Sequence, residues 1–270
     1  IYPLVIACQN NSYKLWLEDP IQIKYSSGLQ RDKNDAIDAK RIALYASRYI
    51  DRIKIYKKPS VGIESIKLLS AELNMLCVDK AKYQAQISDQ KEYMPNDMYK
   101  IKSKRLTLLI KELDKAINEI ENEIENIVKN DVLLSRQMEL LLSIEGVGKK
   151  TSLKMILETQ AFTKFTDSTK FCCHAGVAPF SYVSGSSQHS KNKVSQRANK
   201  SIKTLLHLAA LSAIQKKNSE LRVYYERKIA EGKNKMSVLN AIRAKLIYRI
   251  FAVIKNDQLY DLNHISQYTN

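Results

Sequence analysis

Leu106-Thr-Leu-Leu-Ile-Lys-Glu-Leu-Asp-Lys-Ala-Ile-Asn-Glu-Ile-Glu-Asn-Glu-Ile-Glu-Asn-Ile127 sets the frame for the whole chain. Its apolar side chains recur at Leu106, Ile110, Leu113, Ile117, Ile120, Ile124 and Ile127, in alternating steps of four and three. An average step of about 3.5 residues is the seam of a coiled coil, because it keeps one apolar stripe facing a partner helix. Upstream, Ile66, Leu69, Leu73, Leu76, Tyr83 and Ile87 follow the same rule, broken by Lys80. Met94-Pro95-Asn96-Asp97 separates the two runs, and proline ends a helix. Residues 56–135 are therefore expected to form an antiparallel coiled-coil hairpin, a spacer or dimer contact without chemistry of its own. The acidic face with Glu119, Glu121, Glu123 and Glu125 is expected to be solvated.

Composition extends this reading outward. The 270 residues include 7 Gly and 5 Pro, where average usage would supply about 19 and 13. So few backbone punctuators favour a mainly α chain and exclude an all-β sandwich. A hydrophobic content of 44% excludes wholesale disorder. No apolar run approaches the roughly 18 residues of a membrane span, and none resembles a signal peptide. The expectation is a soluble cytoplasmic protein with no membrane partner. Cys8, Cys77 and the adjacent Cys172 and Cys173 form no CxxC and are expected to be buried reduced thiols. His174, His189, His207 and His264 show no zinc spacing.

The net charge is +16, and it is segregated. Residues 1–55 carry 9 basic and 6 acidic side chains, residues 56–135 carry 13 and 13, and residues 136–270 carry 22 and 9. Between Asp167 and Glu220 lie 52 residues with no acid, yet with Lys170, Lys191, Lys193, Arg197, Lys200, Lys203, Lys216 and Lys217. A surplus serving only solubility would be interspersed with acids, so a polyanionic partner is indicated, with nucleic acid first and a solvated face as the plain alternative.

On either side of the hairpin the patterns differ. Residues 1–55 read as α/β pieces: residues 3–9 helical or extended, residues 13–17 a short strand, and residues 35–49 an amphipathic helix offering Ile37, Ile42, Ala43, Leu44 and Ala46 for packing. So few elements do not enclose a core. Residues 136–270 read as helical with one long polar interruption around residues 181–190. Two helices flank Glu145-Gly146-Val147-Gly148, a helix-hairpin-helix pattern in which Gly146, Gly148, Lys149 and Lys150 would meet a phosphate through amides at a helix start. The same turn also serves packing alone. Residues 199–214 and 238–254 are read as further helices.

Three strings together carry a resemblance. Lys33-Asn-Asp-Ala-Ile-Asp-Ala-Lys-Arg-Ile-Ala43 resembles a K-x-D-x-x-D-A helix, and Leu142-Ser-Ile-Glu-Gly-Val-Gly148 an S-I-P-G-V-G turn. Ala175-Gly-Val-Ala-Pro179, Ser184-Gly185 and Asn199 resemble an A-G-L-A-P, S-G and G-N series. In this order they are similar to the DEDD-type insertion-sequence transposases, the IS-one-ten family with its Piv/MooV invertase relatives. Glu145 stands where that family has Pro, and Ala198 where it has Gly. The resemblance implies residues 1–55 as the C-terminal part of an RNase H/RuvC-like domain and residues 136–270 as a transposase domain with a serine loop. It also implies four metal-binding acids, of which Asp35 and Asp38 match the last two. The first two would lie upstream, so the chain is expected to lack the family's N-terminal portion and to be inactive alone.

The resemblance further implies roles for these residues. Asp35 and Asp38, three apart on a helix start, put both carboxylates on one side and would hold Mg²⁺. By spacing alone they equally suit the helix dipole, with Asn34 as the N-cap. Ser184 would be the nucleophile, needing a base or metal to activate it, with Gly185 permitting close approach. Lys191, Lys193, Arg197, Asn199, Lys200 and Lys203 would contact nucleic acid beside it. The implied protein is a bridge-RNA-guided, nucleoid-associated recombinase acting on DNA as a homo-oligomer, a dimer or tetramer. Two alternatives stand beside it: a non-catalytic nucleic-acid-binding remnant, and a metal-dependent RuvC-like nuclease.

Overall fold

The computed structural model describes residues 2–28, 34–180, 183–184, 188–189, 193–194, 198–217 and 219–261. Scarce in Gly and Pro, the chain starts its helices with capping side chains. Eight of the eleven α-helices among the described residues begin at an Asp, Asn or Ser whose oxygen accepts a backbone N–H of the first turn. The chain divides into two compact units, Ile1–Pro59 and Ser60–Asn270.

The first unit holds α1 (Tyr2–Asn10), α2 (Pro20–Ser26) and α3 (Asp35–Arg48), followed by a short 3-10 turn at Ile50–Arg52. The strand expected at residues 13–17 reduces to an isolated antiparallel bridge between Trp16 and Ile55, with Tyr56 N donating to Leu15 O at 2.7 Å. A single paired position cannot grow into a strand without further partners. The packing residue of α3 is Tyr45, 6% exposed, whereas Ile42 and Leu44 remain exposed. Its ring lies 5.5 Å from Trp16 and 4.8 Å from Tyr49, so aromatic contacts replace the aliphatic face expected there.

The second unit opens with the helical hairpin, α4 (Val61–Asp89) and α5 (Asn96–Asn130). Its cross-links run in opposite chain directions: Tyr99 Oη donates to Ile87 O at 3.2 Å, and farther down Lys80 pairs with Asp114. Ile63, Ile66, Ile120, Ile124 and Val128 at its base are buried in the main core. Toward the tip Leu106, Ile110, Leu113 and Ile117 are half-buried, because two helices alone cover only one side of a seam.

Below the hairpin come α6 (Val132–Leu142), α7 (Lys149–Thr159), α8 (Ser168–His174), α9 (Lys200–Gln215), α10 (Glu220–Ala230) and α11 (Lys235–Asn256). α11 and α9 form the centre, with Leu206, Ala210, Ile242, Leu246 and Ile250 fully buried. Phe171 of α8, also fully buried, meets Phe165 edge-on at 5.3 Å and Phe251 at 5.5 Å. Of the free cysteines only Cys172 is buried, and burial raises its thiol pKa to about 11, so it stays protonated. Cys8, Cys77 and Cys173 are half-buried, which corrects the expectation for them. No described helix is long and apolar enough to cross a membrane.

Candidate functional site

Between α8 and α9 the chain makes two short antiparallel pairings. β1 (Pro179–Phe180) pairs with β4 (Lys193–Val194), and β2 (Val183–Ser184) with β3 (Gln188–His189). Ser184 thus stands opposite Gln188 on a two-stranded ribbon rather than on the plain polar loop that its serine-rich surroundings suggest. For Ser184 and Lys193 the structure describes the backbone alone. Lys191 and Arg197 lie outside the described residues, as do Lys33, Gly185, Ser181, Ser186, Ser187 and Ser190.

Both ends of the ribbon are tied to the helical body. At the outgoing end, Val177 N and Ala178 N donate to Cys172 O at 3.0 and 3.3 Å, and Val177 O accepts from Asn240 Nδ2 of α11 at 2.8 Å. Arg243, 6% exposed, lies beside Asn240, its Nη1 3.4 Å from Asn240 Oδ1 and its Nη2 2.7 Å from His207 Nδ1. Burial, then the Arg243 charge, lower the His207 pKa, which favours a neutral ring accepting that bond. At the returning end, Asn199 N donates to His174 O at 3.0 Å, and Asn199 Oδ1 caps α9 by accepting from Ile202 N at 3.2 Å.

Glu158, near the end of α7, lies beside Lys154 and His174. Lys154 Nζ lies 2.8 Å from it and His174 Nε2 3.5 Å from it, the buried Nε2 having no hydrogen-bond partner. The neighbouring His174 first, then Lys154, hold the Glu158 pKa down at about 2 against partial burial. His174 is stacked beside Phe165 and Phe171, with ring centroids at 5.0 and 5.6 Å. Nothing in sequence spacing marks Glu158, Asn240 or Arg243, whereas His174 and Asn199 border the Ala175-Gly176 and Asn199 strings.

The turn joining α6 to α7 separates its two glycines. Gly146 has φ +84°, and a Cβ there would fall 2.5 Å from Ala209 O and 2.7 Å from Ala213 Cβ, so close packing on α9 demands glycine. Gly148 is the exposed N-cap of α7, and a Cβ on it would meet nothing within 4 Å. Lys149 pairs with Glu125 at 2.6 Å and Lys150 approaches Glu121 to 3.9 Å. The Lys149 hydrogen bond lowers the Glu125 pKa, and the same bond raises that of Lys149. Two of the four acids expected to be solvated are therefore engaged, because the start of α7 lies against the base of α5. Lys200 is exposed and Lys203 half-buried on the first turn of α9.

In the first unit, Asn34 caps α3 through Ile37 N at 2.8 Å, and Asp35 and Asp38 share the first turn. Asp38 pairs with Arg41 at 2.9 Å. No group of three His, Cys, Asp or Glu side chains that could hold a metal occurs among the described residues.

Residues 138–226, from α6 into α10, match the model of the family described as Transposase IS116/IS110/IS902. Two curated relatives are the pilin gene-inverting proteins of Moraxella bovis and Moraxella lacunata. Each is 26% identical over 128 residues, covering 47% of this chain and 40% of the relative. A third is the insertion element IS110 uncharacterized 43.6 kDa protein of Streptomyces coelicolor, 26% identical over 121 residues, or 45% of this chain and 29% of that protein. The chain thus spans less than half the length of these relatives.

Proposed function

From matches that support a transposase or recombinase of the IS110 family, we propose that this chain belongs to a site-specific DNA recombinase of an insertion sequence with Ser184 as its nucleophile. The observation that carries this reading is the coincidence of three features in one segment. The family match covers the strand pair that bears Ser184, and that pair lies within 52 successive residues that carry no acid. A basic stretch free of acids attracts a DNA phosphate and stabilises charge that develops on it.

In the proposed step the Ser184 Oγ attacks phosphorus, forming one P–O bond as one P–O bond of the DNA backbone breaks. The serine proton passes to solvent, and the released deoxyribose oxygen takes up a proton. The ester is conserved in a phosphoserine link, so a second attack by a deoxyribose hydroxyl rejoins strands without hydrolysis. Asp35 and Asp38 fit a Mg²⁺ site of the kind that uses one or two carboxylates with waters and phosphate oxygens, on condition that Asp38 releases Arg41. When bound, such an ion would neutralise charge on the attacking and leaving oxygens. Gly148, Lys149, Lys150, Lys200 and Lys203, with Lys191, Lys193, Arg197 and Asn199, would contact DNA or a structured guide RNA. Gly146 would act by seating the turn on α9. Assembly as a dimer or tetramer on nucleoid DNA completes the reading.

The test is a denaturing gel that traps a covalent protein–DNA adduct, using duplex DNA with the element's ends, guide RNA and Mg²⁺. Ser184→Ala should abolish the adduct and leave binding nearly intact. Asp35→Asn and Asp38→Asn should also abolish it, with partial rescue by Mn²⁺ that the alanine variant never shows. Ser181→Ala and Ser187→Ala should retain activity. If a control loses the adduct and Ser184→Ala keeps it, another serine acts. Cleavage without any serine dependence would install the metal-dependent nuclease, and binding without cleavage the non-catalytic module.

A further inference from the structure

We propose that Arg243, together with His207, forms a subsite for a backbone phosphate of the bound nucleic acid. This rests on the reading of a nucleic-acid partner and is independent of the role given to Ser184. Among the described residues Arg243 is the one buried basic side chain, 6% exposed. Its neighbours are neutral acceptors: Nη2 lies 2.7 Å from His207 Nδ1 and Nη1 3.4 Å from Asn240 Oδ1, while the buried Nε has no hydrogen-bond partner. Burial pushes the guanidinium pKa down, with no carboxylate charge to raise it again. Other arginines of the same unit are compensated. Arg249, less than two turns further along α11, pairs with Glu220 at 2.6 Å, and Arg136 on α6 pairs with Asp257 and Glu139, each at 2.8 Å.

The sequence explains why the charge stands alone. Helices α8, α9 and α11 hold no Asp or Glu, and neither does the chain between α8 and α9. Taking a guanidinium out of water without an opposite charge is costly, so its retention calls for an ion that pairs with it. An anion from outside supplies that charge, and a phosphate suits the donors. Each terminal nitrogen carries two N–H groups and gives one to its neutral neighbour, which leaves one on each for two oxygens of one group. With Nδ1 accepting from Arg243, the neutral His207 ring carries its own proton on Nε2, a third donor. His207 is half-buried, and Lys203, also half-buried, lies one turn earlier on the same face of α9. The guanidinium head therefore lies at the edge of the core, near a lysine that attracts anions. Asn240 is itself fixed, because its Nδ2 donates to Val177 O at 2.8 Å. A protein carboxylate would match the charge, but the net charge of +16 and its segregation favour a chain of phosphates.

The test titrates the full chain with two fluorescent probes, a short duplex DNA and an RNA hairpin, and reads anisotropy over a series of salt concentrations. Arg243→Met removes the charge and fills much of the same space. It should weaken binding about tenfold and reduce the salt slope by about one. Arg222→Met removes one charge from an exposed ion pair on α10 and should leave affinity and slope close to the parent values. A loss with one probe assigns the phosphate to that nucleic acid, and a loss with both assigns it to the backbone they share. Unchanged affinity and slope with both probes, or an equal loss in Arg222→Met, overturns the subsite.

A purely internal brace predicts a different pattern. Because the charge lacks a counterpart, Arg243→Met should keep or raise the thermal midpoint of the free protein, while the rise in midpoint on adding probe should shrink. If Arg243→Met melts lower or does not fold, the parent protein decides. Its His207 ring resonances, assigned through His207→Gln, should shift as probe is added and level off with binding, and an absence of shift overturns the subsite. If the parent chain binds neither probe, the nucleic-acid reading fails and the subsite with it. If it binds and Arg243→Met binds equally well, the subsite alone fails.

Discussion

The two compact units of this chain bury their apolar side chains very differently. In Ser60–Asn270 a continuous core joins the base of the hairpin to α6–α11, and Phe171, Leu206, Ile242 and Leu246 are fully buried. Among the described residues of Ile1–Pro59 the buried apolar side chains are Val5 and Tyr45, while Leu4, Ile6, Leu17, Ile42 and Leu44 stay exposed. Since apolar burial supplies most of the drive to fold, the second unit holds a serine ribbon on a rigid base. The first holds Asp35 and Asp38 on a helix kept by a cap, an ion pair and an aromatic cluster. Segments with few buried contacts open at low cost.

The largest expected effect tests that contrast directly. Phe171→Ala removes a ring at the centre of the second core and should cost about 4 kcal/mol. Tyr45→Ala removes the centre of the first cluster, where less surface is buried. The chain has one tryptophan, Trp16, which packs on Tyr45, so its fluorescence reports the first unit while far-ultraviolet dichroism mostly reports the second. Phe171→Ala should shift the dichroism midpoint in urea most, and Tyr45→Ala the fluorescence midpoint. If both signals move together in each variant, the two cores melt as one and the contrast disappears.

How much of this was readable in advance depends on range. The hairpin was legible because a 3.5-residue period over more than twenty residues has few other solutions, and Pro95 marks its bend. Helices were also expected over residues 199–214 and 238–254, and the structure has them at Lys200–Gln215 and Lys235–Asn256. Helix α10 was not, since Leu221, Val223, Tyr224, Tyr225 and Ile229 alternate with charges in no sustained stripe. Tyr45 was missed because an aliphatic pattern drew attention to Ile42 and Leu44. At the candidate site, Ser184 was singled out by the resemblance of Ser184-Gly185 to the S-G string, since its serine-rich surroundings alone read as an ordinary loop. Glu158 and His174 meet only through the packing of α7 and α8, and no local spacing encodes such a meeting.

An intermediate effect sharpens the comparison inside the second unit, at the turn between α6 and α7. Gly146→Ala meets both a left-handed backbone and the α9 backbone at 2.5 Å, and the two penalties together should cost about 3 kcal/mol. Gly148→Ala meets open space with φ −99°, and it should cost no more than about 1 kcal/mol as a poorer cap. Thermal melting separates the two. Equal losses would mean that the turn is set by its sequence of glycines and not by contact with α9.

The smallest effect comes from acid, which reaches the second unit where its core gives way to the cluster beneath the ribbon. Glu158 has a folded pKa near 2, well below the ordinary carboxylate value of 4.5. A depressed carboxylate contributes stability that is present above its unfolded pKa and is lost as pH falls toward the folded one. Stability should therefore decline between about pH 4.5 and 2, and Glu158→Gln should flatten the decline in that window while lowering stability at pH 7. The decline belongs to the dichroism signal of the helical body. If Glu158→Gln leaves the acid limb of that curve unchanged, the Glu158 carboxylate is not the group whose protonation weakens the helical body in acid.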